Sequence, residues 1–218
     1  MAHRPLLLLP LLSVLSAPAC VDTDPTRPPM SDTVAPGTDP DRQEPADFLA
    51  ACHEARMAPP LCAPATTRHD PPRGADHVVE PTPIVYLDTP PASGPHRPAW
   101  ARWGAYDYLP PQRWVHNLEH GGVAFLYDPC AADTLPATLR AFAEAYPEDE
   151  SGPFRWVLTP YPGLPTPIAV IAWEWVWQAD CLDVDSQGDL MTFLNLHYRQ
   201  GPEDEPGDGA YATGWLGP

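Results

Sequence analysis

Two periodicities divide the second half of this chain. Val123–Tyr127 (V-A-F-L-Y) is an unbroken apolar, β-prone run set between Gly121-Gly122 and Asp128-Pro129, and it predicts a strand. Leu135, Leu139, Phe142 and Tyr146 then recur at helical spacing, with Thr134 placed to cap and Pro136 in the first turn, so a helix is expected over 135–146. Phe154–Thr159 reads as a strand, P-Y-P-G-L-P-T-P turns the chain, and Ile168–Trp177 reads as one long strand. Leu190, Phe193 and Leu194 form one stripe of a final helix over 190–198. Upstream the signals are shorter: a helix over Phe48–Met57 and a strand over Ile84–Leu87. This pattern predicts an α+β domain, a single unit with a small mixed sheet and flanking helices. The β-α-β-β-α order from residue 123 onward also occurs in the second half of thioredoxin-like folds. No C-x-x-C is present, so thioredoxin chemistry is not expected.

The two ends carry other patterns. Arg4 precedes a leucine-rich run, Leu6–Leu15, broken by Pro10 and Ser13 and followed by S-A-P-A-C. The run is too short to span a bilayer as a mature helix, and residues 1–19 read as an export signal. Ala17-Pro18-Ala19 suits ordinary cleavage, whereas Leu15–Cys20 resembles a bacterial lipobox with Cys20 as the lipid-bearing residue. Cysteine arithmetic favours the lipid: without Cys20, four of the five cysteines remain, Cys52, Cys62, Cys130 and Cys181. An even set in an exported protein implies two disulfides. Sequence leaves three connectivities open; Cys52–Cys62 with Cys130–Cys181 is the preferred one. Residues 20–46, rich in Pro, Asp and Thr, read as a disordered tether, 47–203 as the globular domain and 204–218 as a flexible tail. Tyr211 and Trp215 in that tail are able to fold back onto the domain.

Composition narrows the partners. The formal charge is −17, all twelve basic residues are arginine, and loss of Arg4 with the leader takes −17 to −18. Such a surface argues against nucleic acid as a partner. Thirty-three prolines imply many loops and extended segments.

The candidate chemistry lies in W-V-H-N-L-E-H-G-G-V-A-F-L-Y, residues 114–127. His116 and His120 stand four apart, so they can share one helical face, with Glu119 between them. Upstream, residues 89–114 form a loop dense in proline and aromatics, in which Ser93-Gly94-Pro95 presents His96. A long irregular loop in a compact domain is usually functional. Convergence of His96 with His116 and His120 would make a three-imidazole site for zinc or copper, with Glu119 as a fourth ligand, an orienting acceptor or a base. Trp100, Trp103, Tyr106, Tyr108 and Trp114 are expected to wall it, and Gly121-Gly122 to allow close backbone approach.

Blander readings apply elsewhere. His197 lies on the apolar stripe of the final helix and reads as a core histidine. Glu174, mid-strand, reads as a solvent-facing carboxylate on an edge strand. His53, His69 and His77 sit in polar or proline-rich context and carry little signal. H-N-L-E-H also matches the inverted zinc-peptidase pattern, with Glu203 as a conceivable third ligand. That pattern needs a long helix, which Pro110-Pro111 and Gly121-Gly122 do not leave room for.

The motifs P-P-A-S-G-P-H (90–96), V-H-N-L-E-H-G-G-V (115–123), P-Y-P-G-L-P (160–165) and R-Q-G-P-E (199–203) resemble the family catalogued as domain of unknown function 3105. The run from G-P-H-R-P to L-Y-D-P-C is similar also to the ectodomain of animal p53-inducible protein 13. The resemblance implies an exported or membrane-anchored domain and carries over Ser93, Gly94, Pro95, His96, His116, Glu119, His120 and Gly121, without an activity. The expectation is therefore a lipid-anchored domain at the periplasmic or cell-surface side of a membrane, binding copper or zinc through His96, His116 and His120. The alternatives are a metal-dependent hydrolase with Glu119 as base, or a metal-free structural or interaction module.

Overall fold

The computed structural model describes residues 39–50, 52, 62–131 and 133–218. The leader, Cys20, the tether up to residue 38 and the helix expected beyond Ala50 lie outside the described residues, apart from Cys52.

The described elements are α1 (Pro45–Leu49), β1 (Thr66–His69), β2 (Gly104–Tyr106), α2 (Pro111–Glu119), β3 (Val123–Tyr127), α3 (Leu135–Ala145), β4 (Trp156–Pro160), β5 (Ile168–Ala172), β6 (Trp175–Ala179), α4 (Val184–His197) and β7 (Trp215–Gly217). The strands form one mixed sheet in the order β1-β6-β5-β3-β4-β2-β7. β3 runs parallel to β4 and β4 to β2; the other neighbours are antiparallel. The expected α+β class holds, while from β3 onward the order is strand–helix–strand–strand–strand–helix, one strand more than expected.

Helices cover both faces, which is why β3 is apolar at every position instead of alternating. Val123 and Phe125 pack in a core with Leu135, Leu139 and Ala143 of α3 and Leu190, Phe193 and Leu194 of α4. Ala124 and Leu126 point the other way, into a second core built on Trp114, Val115 and Leu118 of α2.

Three expectations change. The long strand over 168–177 is a hairpin, with Ala172 paired to Trp175 and the turn at Trp173-Glu174. Glu174 therefore occupies a turn and not an edge strand, at φ 65°. Left-handed backbone costs such a residue about 1–2 kcal/mol. Two hydrogen bonds offset it: Glu174 N donates to Ala92 O at 2.8 Å, and Asp70 N donates to Glu174 O at 2.8 Å. Ile84–Leu87 forms no strand; Val85 and Leu87 stand exposed there. The last helix starts earlier than Leu190, because Asp183 and Ser186 cap it reciprocally: Ser186 N donates to Asp183 Oδ1 at 2.9 Å and Asp183 N to Ser186 Oγ at 2.8 Å.

The four described cysteines are paired, but as Cys52–Cys130 and Cys62–Cys181, which corrects the preferred connectivity. The reason is β1, a polar strand invisible to the apolar pattern. It pairs antiparallel with β6 in the register Thr66↔Gln178, so the residues before β1 lie opposite those after β6. That ladder brings Cys62 to Cys181.

The folded unit also extends past 47–203 on both sides. Asp39 and Asp41 are bound to buried arginines, Arg113 and Arg97. At the other end β7 pairs with β2, and Tyr211 is buried. Among the described residues no helix is long and apolar enough to cross a membrane.

Candidate metal centre

α2 sets the centre. Pro110-Pro111 starts the helix where a missing N–H is harmless. Trp114, Val115 and Leu118 fix its inner face against the sheet. His116 and Glu119, three residues apart, then share another face, turned toward the loop that carries His96.

That loop is positioned by backbone pairing. His77 and His96 form a parallel bridge, with His96 N donating to Asp76 O at 3.0 Å and Val78 N to His96 O at 2.8 Å. Gly94, at φ 124°, turns its carbonyl toward the His96 ring. Ser93 is buried, its Oγ accepting from Arg73 N at 3.1 Å.

The result is a cluster of His77, His96, His116 and Glu119, whose four ligand atoms lie within 4.8 Å of one another. Glu119 Oε2 is 3.0 Å from His96 Nε2, 3.6 Å from His77 Nε2 and 3.7 Å from His116 Nε2. Ligands on a tetrahedral zinc at roughly 2.0–2.1 Å stand about 3.3–3.4 Å apart, so these spacings suit a shared ion. His96, His116 and Glu119 are buried; His77 is partly exposed and forms the rim.

Backbone carbonyls hold one nitrogen of each buried ring. His96 Nδ1 meets Gly94 O at 2.8 Å, and His116 Nδ1 meets Arg97 O at 2.7 Å. A carbonyl only accepts, so both Nδ1 atoms carry a proton, and each ring turns its Nε2 toward Glu119. The His96 Nε2 lies within hydrogen-bond distance of Glu119 Oε2, at 3.0 Å, and the His116 Nε2 stands at 3.7 Å from the same oxygen. Backbone carbonyls orienting Nδ1–H are the usual support for an imidazole that binds metal through Nε2.

Charge states agree. Burial, followed by the nearby His96, pushes the His116 imidazole down to about 3. Burial alone would raise the Glu119 carboxyl, but the close approach of His96 and the neighbouring imidazoles holds it below its usual value. Both groups lose stability in the same direction. Below the unfolded-state histidine value of 6.5 the unfolded chain takes up a proton that folded His116 refuses, so stability present above 6.5 falls as pH drops toward about 3. Thermal melts of the metal-free protein across that window should show a falling midpoint; a flat profile would contradict this site geometry.

His120 does not join the first cluster, contrary to the expected trio. It caps the end of α2, with its ring stacked on His116 at 4.7 Å and against Trp100 at 4.2 Å. Burial lowers its pKa as well. His77, set aside in the sequence, takes the place expected of it. Glu203, weighed only under the peptidase pattern, has Oε2 3.8 Å from His120 Nδ1.

The aromatic wall is narrower than expected. Trp100 alone of the five stacks on the imidazoles. Trp103 packs on Gly122, where a Cβ would meet its ring at 2.4 Å, and Tyr106 donates its hydroxyl to Arg102 O at 2.8 Å. Trp114 packs against Tyr161, and Tyr108 against Phe48.

Two glycines let the 199–203 segment lie on the end of α2. A Cβ on Gly121 would approach Arg199 Cα to 2.9 Å, and one on Gly201 would meet Glu119 O at 2.3 Å and Leu118 O at 2.5 Å. These are backbone atoms that cannot swing away. Gly201→Ala is expected to destabilise the fold by about 1–3 kcal/mol, read by urea denaturation.

The fold and site together define a disulfide-linked α+β domain with a buried histidine–carboxylate cluster. The chain belongs to the family described as protein of unknown function (DUF3105), whose model matches residues 77–210. The matched span begins at His77 and contains every residue of the cluster. No curated protein and no solved structure matches the chain. The two disulfides point to an oxidising, extracytoplasmic environment.

Proposed function

We propose that this domain binds a transition metal, zinc or copper, through His77, His96, His116 and Glu119. The observation that carries the reading is the meeting of two buried Nε2 atoms and a carboxylate oxygen, with both Nδ1 atoms already committed to carbonyls. Imidazole with carboxylate suits both metals. Hydrolysis with Glu119 as base fits less well. The carboxylate stands at ligand distance from three imidazoles and is held below its ordinary pKa, which makes it a weak proton acceptor.

The same reading places the domain on the outer side of a membrane, tethered by a lipid on Cys20, where it handles metal and not nucleic acid. Replacing Cys20 with Ser should release the protein from the membrane fraction.

Metal analysis tests the function directly. The full chain, produced in an oxidising compartment, should bind zinc or copper tightly and melt at a higher temperature with metal than without. A chain that stays metal-free and whose melting temperature ignores both ions overturns the reading.

A further inference from the structure

A second group stands beside the first. Glu119, His120 and Glu203 also offer three ligand atoms within 4.8 Å of one another, and Glu119 belongs to both groups.

His120 is the telling residue. Its side chain is only 6% exposed, yet neither ring nitrogen has a hydrogen-bond partner among the described residues. A buried polar group left so carries the full penalty of its lost hydration. Its Nδ1 points to within 3.8 Å of Glu203 Oε2. The chain invests considerable structure in bringing Glu203 there. Glu203 N donates to Glu119 O at 3.0 Å and Arg199 N to Gly121 O at 2.9 Å, over the close approach that Gly201 permits. Buried Arg155 donates to His120 O at 2.6 Å and to Glu205 O at 2.8 Å, and pairs with Asp204.

Resting on the proposed metal-binding reading, we propose that the centre is binuclear. Two divalent cations share the Glu119 carboxylate, the first held by His77, His96 and His116, the second by His120 and Glu203. A carboxylate has two oxygens. Oε2 faces the three imidazoles, which leaves the other for the second ion. Paired metals in proteins stand about 3.5–4 Å apart, a span that one bridging carboxylate covers.

Stoichiometry separates this inference from the reading beneath it. Zinc titration of the full chain by calorimetry, with elemental analysis, should give two equivalents. His120→Ala and Glu203→Gln should each give one, with the remaining affinity changed less than about threefold. Glu203 is 62% exposed, so its substitution tests the site even where His120→Ala fails to fold. With cobalt in place of zinc, the wild type should show a magnetically coupled pair and Glu203→Gln an isolated ion. One equivalent in the wild type, unchanged in Glu203→Gln, overturns the binuclear centre and leaves the single site standing. Two equivalents that survive both substitutions also overturn it. No bound metal at all overturns both.

Discussion

Glu119→Gln should lower two measurements at once: the metal-free protein loses stability at neutral pH, and zinc or copper affinity falls by about 100-fold or more. In the metal-free protein His96 Nε2 meets the Glu119 carboxylate at 3.0 Å, and with the neighbouring imidazoles it holds that carboxyl below its usual value, so the ionised form favours the folded state. Glutamine keeps the shape but carries no charge, and a hydrogen bond to a charged group is worth about 1.5–3 kcal/mol. The same change removes the one anionic ligand of the cluster. Substituting groups that only support a metal's ligands costs about 10–100-fold in affinity, and a direct ligand costs more. His116→Ala should lose metal to a similar degree and also lower metal-free stability, since it opens a buried cavity beneath Trp100. Thermal melts with and without metal, beside competitive metal titration, read both quantities. If Glu119→Gln binds as the wild type does, Glu119 is not a ligand; if it leaves the metal-free protein as stable as the wild type, or more so, the carboxylate is not held by His96 as described.

The parts of this centre differ in how far the chain announces them. His116 and Glu119 are legible because helical spacing alone puts them on one face. His96 was nameable because a proline–glycine loop singles it out, although only the bridge to His77 shows where it goes. His77 itself leaves no trace: H-V-V-E-P-T-P has neither period nor spacing, and its position depends on a parallel pairing between two loop segments. His120 misleads for a geometric reason. Four residues after His116 is a helical neighbour, but here α2 has already ended, and the ring stacks beside the cluster instead of pointing into it. The fold divides in the same way. β3 and α3 follow from local pattern, since both faces of the sheet are covered and the helix period is clear. The β5–β6 hairpin was hidden because Trp173-Glu174 contains no turn-forming residue, and tertiary hydrogen bonds from Asp70 and to Ala92 hold it. β1 was hidden because it is polar, and with it went the disulfide connectivity.

Composition is least informative where it is most uniform, and this sets up the second large effect. Residues 39–42 belong by composition to the tether, yet Asp41→Ala should destabilise the domain by about 3–5 kcal/mol, the cost of stranding a buried charge. Arg97 is fully buried, and Asp41 holds its guanidinium through two contacts, at 2.5 and 2.9 Å. Its remaining partners are the carbonyls of Val78 at 3.0 Å and Thr82 at 2.9 Å, which orient the group without neutralising it. The loss should reach the metal centre. Arg97 O accepts from His116 Nδ1, and Arg97 N donates to Gln112 O of α2, so a shifted Arg97 misaims the imidazole and weakens metal binding by about 10–100-fold. Glu44→Ala is the matched control: its contact with Arg42 is at 3.6 Å and Glu44 is exposed, so the change should stay within about 0.5 kcal/mol. Urea denaturation and metal titration of the two variants separate a clamp from a passive tether. If Asp41→Ala unfolds at the wild-type midpoint, residues 39–42 are outside the cooperative unit and the buried arginine is neutralised from elsewhere.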